Sequence, residues 1–249
     1  MEDLEAAILA RLTPRTTVSE GVLQTQTMRA LGHKLDPARF SEALRALADK
    51  HLISVKSGDV RLKEPDFPES SLEPPIEAWL GSKEFFGMLG LDTAHTVWQT
   101  TARGGQAGTG IWSRPDFSVA TIRRRKYDPV RHLDLFAIEL KNLAGTSVVS
   151  VHEALAHTRF AHYAYLLCPR SKIEPQRLDV IEEACSQHGV GLITFSIDIQ
   201  GTDRPCVRDF DFAIAARRKS PEPSDIDDYI DARFDPENCA RLLRLAEGT

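Results

Sequence analysis

Apolar residues in the first 63 positions recur at helical spacing and then switch to strand spacing. Leu4, Ala7, Ile8 and Leu12 share one face of a helix over 2–12, and a second apolar stretch runs from Val22 and Leu23 to Met28 and Leu31. A third helix is announced by Asp36 as N-cap and Pro37 at its first position, with Phe40, Ala43, Leu44 and Leu47 on its buried face. Leu52–Val55 and Val60–Leu62 then flank Lys56-Ser57-Gly58-Asp59, a hairpin turn. Three helices followed by a β-hairpin is the element order of a winged helix over 1–63. Residues 64–74 are rich in proline and read as a linker.

From residue 75 the pattern becomes that of an α/β domain running to 249. A helix is expected from Pro75 to about Leu89, with Ile76, Trp79, Leu80 and Phe86 apolar. Gly104, Gly105, Gly108 and Gly110 mark a loose turn. Strands follow at about 116–122 and 133–140, then a helix (148–162), a strand (163–168), a helix (175–187) and a strand (190–197). The tail adds a hairpin near 206–216 and an acidic helix from about Ser224.

Composition adds bounds rather than identity. The chain has 249 residues, 42% hydrophobic and 27% charged, which is ordinary for a globular protein. No apolar run approaches the roughly 20 residues that span a bilayer. Met1-Glu2-Asp3-Leu4-Glu5 is acidic and helix-like, unlike a secretion signal. Cys168, Cys185, Cys206 and Cys239 are scattered and form no CxxC pair, which argues against a zinc site and for reduced thiols. A cytoplasmic protein is the expectation. Net charge is −5, yet residues 103–172 hold eleven Lys/Arg against five Asp/Glu, so a positive excess sits in that one segment.

The same segment carries the candidate chemistry. In Phe136-Ala137-Ile138-Glu139-Leu140-Lys141, period-2 alternation sends Glu139 and Lys141 to one face of the strand and Phe136, Ile138 and Leu140 to the other. Asp116 follows Pro115 at the head of the preceding strand, and antiparallel pairing of the two strands would bring it to Glu139. Two converging carboxylates, with the Leu140 carbonyl as a further oxygen donor, suit Mg²⁺ or Mn²⁺. A cation so held polarises a phosphodiester and activates a water, while Lys141 steadies the developing charge. Glu-x-Lys alone is weak, expected about once in a chain of this size. The selective signal is its combination with a strand-borne Asp116 a short distance upstream.

Arg114-Pro115-Asp116-Phe117, Glu139-Leu140-Lys141, and the segment from His152-Glu153-Ala154-Leu155-Ala156-His157 into Ala161–Leu166 resemble the PD-(D/E)XK nuclease superfamily over about residues 74–200. The Pro74–Leu80 opening and the preceding winged helix resemble a bacterial subgroup that joins the two domains. The resemblance implies a restriction-endonuclease-like αβββαβ core, a Mg²⁺ requirement and hydrolysis of nucleic-acid phosphodiesters, with double-stranded DNA as the expected partner. It also offers Glu77 as an additional metal ligand, where the bland alternative is a solvated helix carboxylate. His157 is the nearest match to the Gln or Tyr that the family often carries on the helix after the catalytic strand.

Arg123, Arg124, Arg125 and Lys126 lie in the hairpin between the catalytic strands and are candidates for a phosphate clamp beside the cleavage site, or for a solvated loop tip. Arg103 is a similar candidate, as are Arg39, Arg45 and Lys56 in the N-terminal unit, whose near-balanced charge fits a protein-binding winged helix equally well. The expected function is a metal-dependent endonuclease. The alternative is a non-catalytic nucleic-acid-binding or regulatory protein that keeps the fold. Cutting both strands would favour a homodimer.

Overall fold

The alternation expected over 133–140 is the C-terminal part of a longer strand, Asp128–Leu140. The computed structural model describes residues 2–12, 17–32, 34–49, 52–62, 67–101, 114–170, 173, 175–198 and 205–248, and the chain divides into two units, Met1–Asp66 and Phe67–Thr249.

In the first unit the helices are α1 (Glu2–Leu9), α2 (Glu20–Leu31) and α3 (Pro37–Asp49). Asp36 Oδ1 accepts the Ala38 N–H at 3.0 Å and so satisfies one of the free donors that open α3. A short strand β1 (Thr17–Ser19), which the apolar pattern is too brief to reveal, pairs with the hairpin strand β3 (Asp59–Leu62), and β2 (Ile53–Lys56) pairs on its other side. Ser57 and Gly58 both adopt positive φ, 53° and 82°, as a two-residue turn between right-twisted strands requires. Ile8, Leu23, Phe40, Leu44, Leu47, Ile53 and Val60 form the buried core.

The second unit is α/β, with a six-stranded mixed sheet in the order β4-β5-β6-β7-β8-β9. The strands are β4 (Thr96–Thr100), β5 (Phe117–Arg125), β6 (Asp128–Leu140), β7 (Tyr163–Pro169), β8 (Gly191–Asp198) and β9 (Cys206–Ile214). The β6–β7 and β7–β8 pairs are parallel, through crossovers that contain α6 (Val148–Ala156) and α7 (Pro175–His188); the other pairs are antiparallel. One face of the sheet buries Phe117, Val119, Phe136, Ile138, Tyr165 and Ile193 against α4 (Glu69–Leu80) and α5 (Lys83–Leu89). The other face buries Ala120, Ile122, Leu135 and Ala137 against α8 (Pro223–Arg233) and α9 (Pro236–Glu247). On that same side Leu166, Cys168 and Leu192 pack with Val151, Ala154 and Ile181 of the crossover helices.

Three expectations are corrected. Residues 69–74, read as linker, are helical: Pro74 and Pro75 lie inside α4, which persists because Leu72, Ile76 and Leu80 recur every four residues and are fully buried. Each proline removes one helix donor, but the buried stripe outweighs that loss. The helix expected over 75–89 is broken at Gly81-Ser82, where the Ser82 hydroxyl accepts the Phe85 N–H and starts α5. The expected hairpin near 206–216 is a single strand, β9, paired along β8.

Gly191, at the start of β8, lies under the ring of Tyr165, its partner on β7. A Cβ there would come within 2.2 Å of two ring atoms and 3.0 Å of the Ala216 nitrogen. Gly87, in α5, has nothing within 4 Å of the same position. Urea unfolding should therefore show Gly191→Ala losing about 1–3 kcal/mol, whereas Gly87→Ala gains about 0.5–1 kcal/mol. Equal effects at the two sites would contradict this packing.

Candidate active site

Strand register brings Asp116 to Glu139. Phe117 pairs with Ile138, so one step further along the ladder Asp116 stands opposite Glu139. Asp116 Oδ2 accepts the Leu140 N–H at 2.7 Å, and its main-chain carbonyl accepts the Thr101 N–H at 2.8 Å. Two residues beyond Glu139, on the same face, Lys141 donates from Nζ to Glu139 Oε1 at 2.7 Å and lies 3.0 Å from Glu153 Oε2 on α6. His157, in the 3₁₀ turn after α6, is 1% exposed and donates from Nε2 to Glu139 Oε2 at 2.9 Å. Its Nδ1 is buried without a hydrogen-bond partner among the described residues.

The electrostatics of the two carboxyls differ. Burial, then the charge of Glu139, push Asp116 up to about 8, against the Leu140 N–H and the Lys141 charge. Burial also pushes Glu139 upward, but the hydrogen bond and charge of His157, with those of Lys141, outweigh it and hold the group below its ordinary range. Lys141 is desolvated too, yet the charge of Glu139 and the bonds to Glu139 and Glu153 raise it above its usual value. One carboxylate is thus committed to its ion pairs, and the second stands against it as a group that favours its proton until positive charge arrives.

That set fits a hard divalent cation. Asp116 Oδ1 accepts no hydrogen bond from the described residues, each Glu139 oxygen has a second lone pair, and the donors are oxygens. Among the described residues no group of three or more His, Cys, Asp or Glu side chains is placed to hold a metal. The oxygen donors gathered here are two carboxylates and the adjoining main chain, a set that would leave waters on a bound Mg²⁺.

The other sequence candidates divide. Glu77 does not join the pair: its Oε1 accepts the Thr100 hydroxyl at 2.6 Å, which ties α4 to β4. The helix acid that reaches the centre is Glu69, two turns earlier, whose Oε1 accepts the Asn142 N–H at 3.3 Å and whose charge acts on Asp116 and Lys141. Gly145 permits that approach, since a Cβ there would lie 3.1 Å from Glu69 Oε1. Reading 64–74 as linker hid Glu69; its i, i+4, i+8 spacing with Glu73 and Glu77 was the available signal. Of the histidines flanking His157 in sequence, His162 accepts the Leu135 N–H through Nδ1 at 3.0 Å, and His152 is exposed beside His188.

The basic hairpin is not beside the centre. β4 pairs with β5 only as far as Thr121, and β7 meets β6 only from Phe136, so 122–135 form a two-stranded ribbon beyond both neighbours. At about 3.4 Å per residue, Arg124 lies roughly 27 Å along the strand from Asp116. Arg124, Lys126 and Tyr127 are exposed. Arg123 is instead half-buried, 3.4 Å from Asp134 and over the Phe136 ring. Arg125 ends β5, and Arg103 lies outside the described residues. Arg39, Arg45 and Lys56 are exposed on the first unit, but Glu42 and Asp49 alternate with the two arginines along α3.

No protein-family model matches the chain, and no curated protein sequence does. Among solved structures it is similar to the restriction endonuclease FokI, at 11% identity and TM-score 0.23 over 78% of this chain and 42% of that one. FokI bound to DNA gives 11% and 0.23 over 77% and 42%. TrmBL2, an archaeal chromatin protein whose structure shows a novel mode of DNA binding, gives 11% and 0.20 over 98% and 90%. The chain spans about two fifths of the length of the endonuclease. Superpositions this loose carry no argument about fold or function. No helix among the described residues is long and apolar enough to cross a membrane.

The raised Asp116 gives a signed prediction. A buried acid with an elevated pKa costs stability progressively as pH rises from its unfolded value towards about 8. Asn at 116 keeps the acceptor for the Leu140 N–H and removes the charge. In chelator at pH 8, Asp116→Asn should gain about 1–2 kcal/mol, seen as a rise in Tm of about 2–6 °C. The gain should shrink towards pH 4.5. A Tm that is unchanged, or a gain independent of pH, would contradict the electrostatic reading.

Proposed function

We propose that this protein is a Mg²⁺-dependent nuclease that hydrolyses phosphodiester bonds of double-stranded DNA, its second unit a restriction-endonuclease-like αβββαβ core and its first a winged helix. The reading rests on one observation above all: Asp116 and Glu139 face each other at one sheet end with the Lys141 ammonium beside them. A solvated ion pair needs no second carboxylate, and a module that only binds a polyanion gains nothing from two acids at its contact point.

Asp116, Glu139 and the Leu140 carbonyl would hold the cation. Bound there, Mg²⁺ supplies Lewis-acid polarisation of the phosphate and lowers the pKa of a water. Lys141 orients the attacking water and offsets charge that builds on the non-bridging oxygens. His157 holds Glu139 in place through Oε2, and Glu153 keeps the Lys141 amine over the site. The exposed Arg124 and Lys126 at the ribbon tip contact phosphates at a distance from the scissile bond. Arg39, Arg45 and Lys56 leave the winged helix free to assist with substrate or with a partner.

Cleavage of plasmid and linear duplex DNA should appear with Mg²⁺ or Mn²⁺ and vanish in EDTA. Lys141→Ala should slow cutting by about 10²–10³-fold, and Asp116→Ala should abolish it. Arg124→Ala with Lys126→Ala should cut at the full rate at saturating DNA but require more DNA to reach it. Uncut DNA in every metal with the wild type, or cutting that survives Asp116→Ala, would refute the assignment.

A further inference from the structure

Behind the two carboxylates lies a set of buried hydroxyl and aromatic groups with no part in the chemistry described above. Tyr229, on α8, is 7% exposed, and its hydroxyl lies 2.6 Å from Ser118 Oγ. Ser118, fully buried on β5, lies 3.1 Å from Thr101 Oγ1. Thr101 Oγ1 donates to the Pro115 carbonyl at 2.8 Å, and the Thr101 N–H is bound to the Asp116 carbonyl.

The chemistry of these atoms fixes the direction of the chain. A carbonyl oxygen only accepts, so the proton of Thr101 is committed to Pro115. Ser118 must therefore donate to Thr101, and Tyr229 must donate to Ser118. Every hydroxyl proton is used once, and the run ends on the Pro115 carbonyl, next to the Asp116 carbonyl that the Thr101 N–H holds. The opposite side of Tyr229 serves the other acid. Its ring stacks on Phe160 at 4.0 Å and 6°, and Phe160 packs 5.8 Å from the His157 ring that holds Glu139.

We infer that Tyr229 is a positioning residue for the metal site, bracing Asp116 through Ser118 and Thr101 and Glu139 through Phe160 and His157. The inference rests on the metal-dependent reading of Asp116 and Glu139. It assigns α8 a role that its acidic surface conceals: the helix sets the separation of two groups that repel each other when no cation lies between them. A cation site whose carboxylates are held apart correctly loses less freedom on binding, so loss of the brace weakens binding, typically by 10–100-fold for outer-shell partners of this kind.

The test is Mn²⁺ affinity of the full chain by isothermal titration calorimetry, compared among wild type, Tyr229→Phe and Leu242→Ala. Tyr229→Phe keeps the stack on Phe160 and deletes only the donor. Leu242→Ala, in α9, loosens the same core cluster without touching the hydroxyl chain. The expected result is an Mn²⁺ Kd about tenfold weaker for Tyr229→Phe, unchanged for Leu242→Ala, and a larger fall in Tm for Leu242→Ala than for Tyr229→Phe. Unchanged Mn²⁺ affinity in Tyr229→Phe overturns the brace and leaves the metal site standing. Equal weakening in Leu242→Ala also overturns it, since general loosening would then explain both. Absence of Mn²⁺ binding by the wild type removes the metal site itself, and the brace with it.

Discussion

Two carboxylates held face to face across an antiparallel pair of strands repel each other, and the second unit is arranged around that repulsion. The register that buries Phe117 and Ile138 leaves no other place for Asp116 and Glu139. Because side chains alternate, turning the acids away would turn the core out with them. The sheet therefore imposes an unfavourable contact, and the neighbouring residues limit its cost. Lys141 and His157 each take one oxygen of Glu139, and the Leu140 N–H takes one of Asp116. Asp116 receives less compensation, so burial and the Glu139 charge make its carboxyl favour its proton, and an added cation would displace that proton.

Different layers of the fold contribute to this centre. α6 supplies Glu153, and the turn after it supplies His157; both arrive because the parallel β6–β7 crossover returns the chain over the same sheet face. From the other side of the sheet, α4 brings Glu69 to Asn142, just past the end of β6. Positive charge is distributed differently: Lys141 stands in the centre, while the exposed arginine and lysine of the ribbon tip are far along the strand. In the proposed reaction, local charge at the phosphate and long-range attraction of a polyanion would thus be separated in space.

Much of this was legible in the sequence, for identifiable reasons. Glu139 and Lys141 could be placed on one face because a single strand of alternating residues decides it, and Asp116 followed from its position at the head of the neighbouring strand. His157 was reached only through the family resemblance, as the nearest match to a residue on the helix after the strand. Other features depended on tertiary packing. Glu69 was hidden by Pro74 and Pro75, whose local preference is overridden by the burial of Leu72, Ile76 and Leu80. Tyr229 was hidden among Asp225, Asp227, Asp228 and Asp231, although Ile226, Tyr229 and Ile230 form an apolar stripe at helical spacing. The basic hairpin was placed beside the centre when only its two strands were considered. Its distance from Asp116 follows from the length of β5, which runs unbroken to Arg125 and so carries the basic residues to the far end of the strand.

The most direct test is a crystal of the wild-type protein soaked in Mn²⁺, with anomalous diffraction locating the ion. The account predicts a single strong peak within about 2.0–2.4 Å of oxygens of both Asp116 and Glu139, absent from crystals of Asp116→Ala. No peak between the two carboxylates, or occupancy that persists without Asp116, would contradict it.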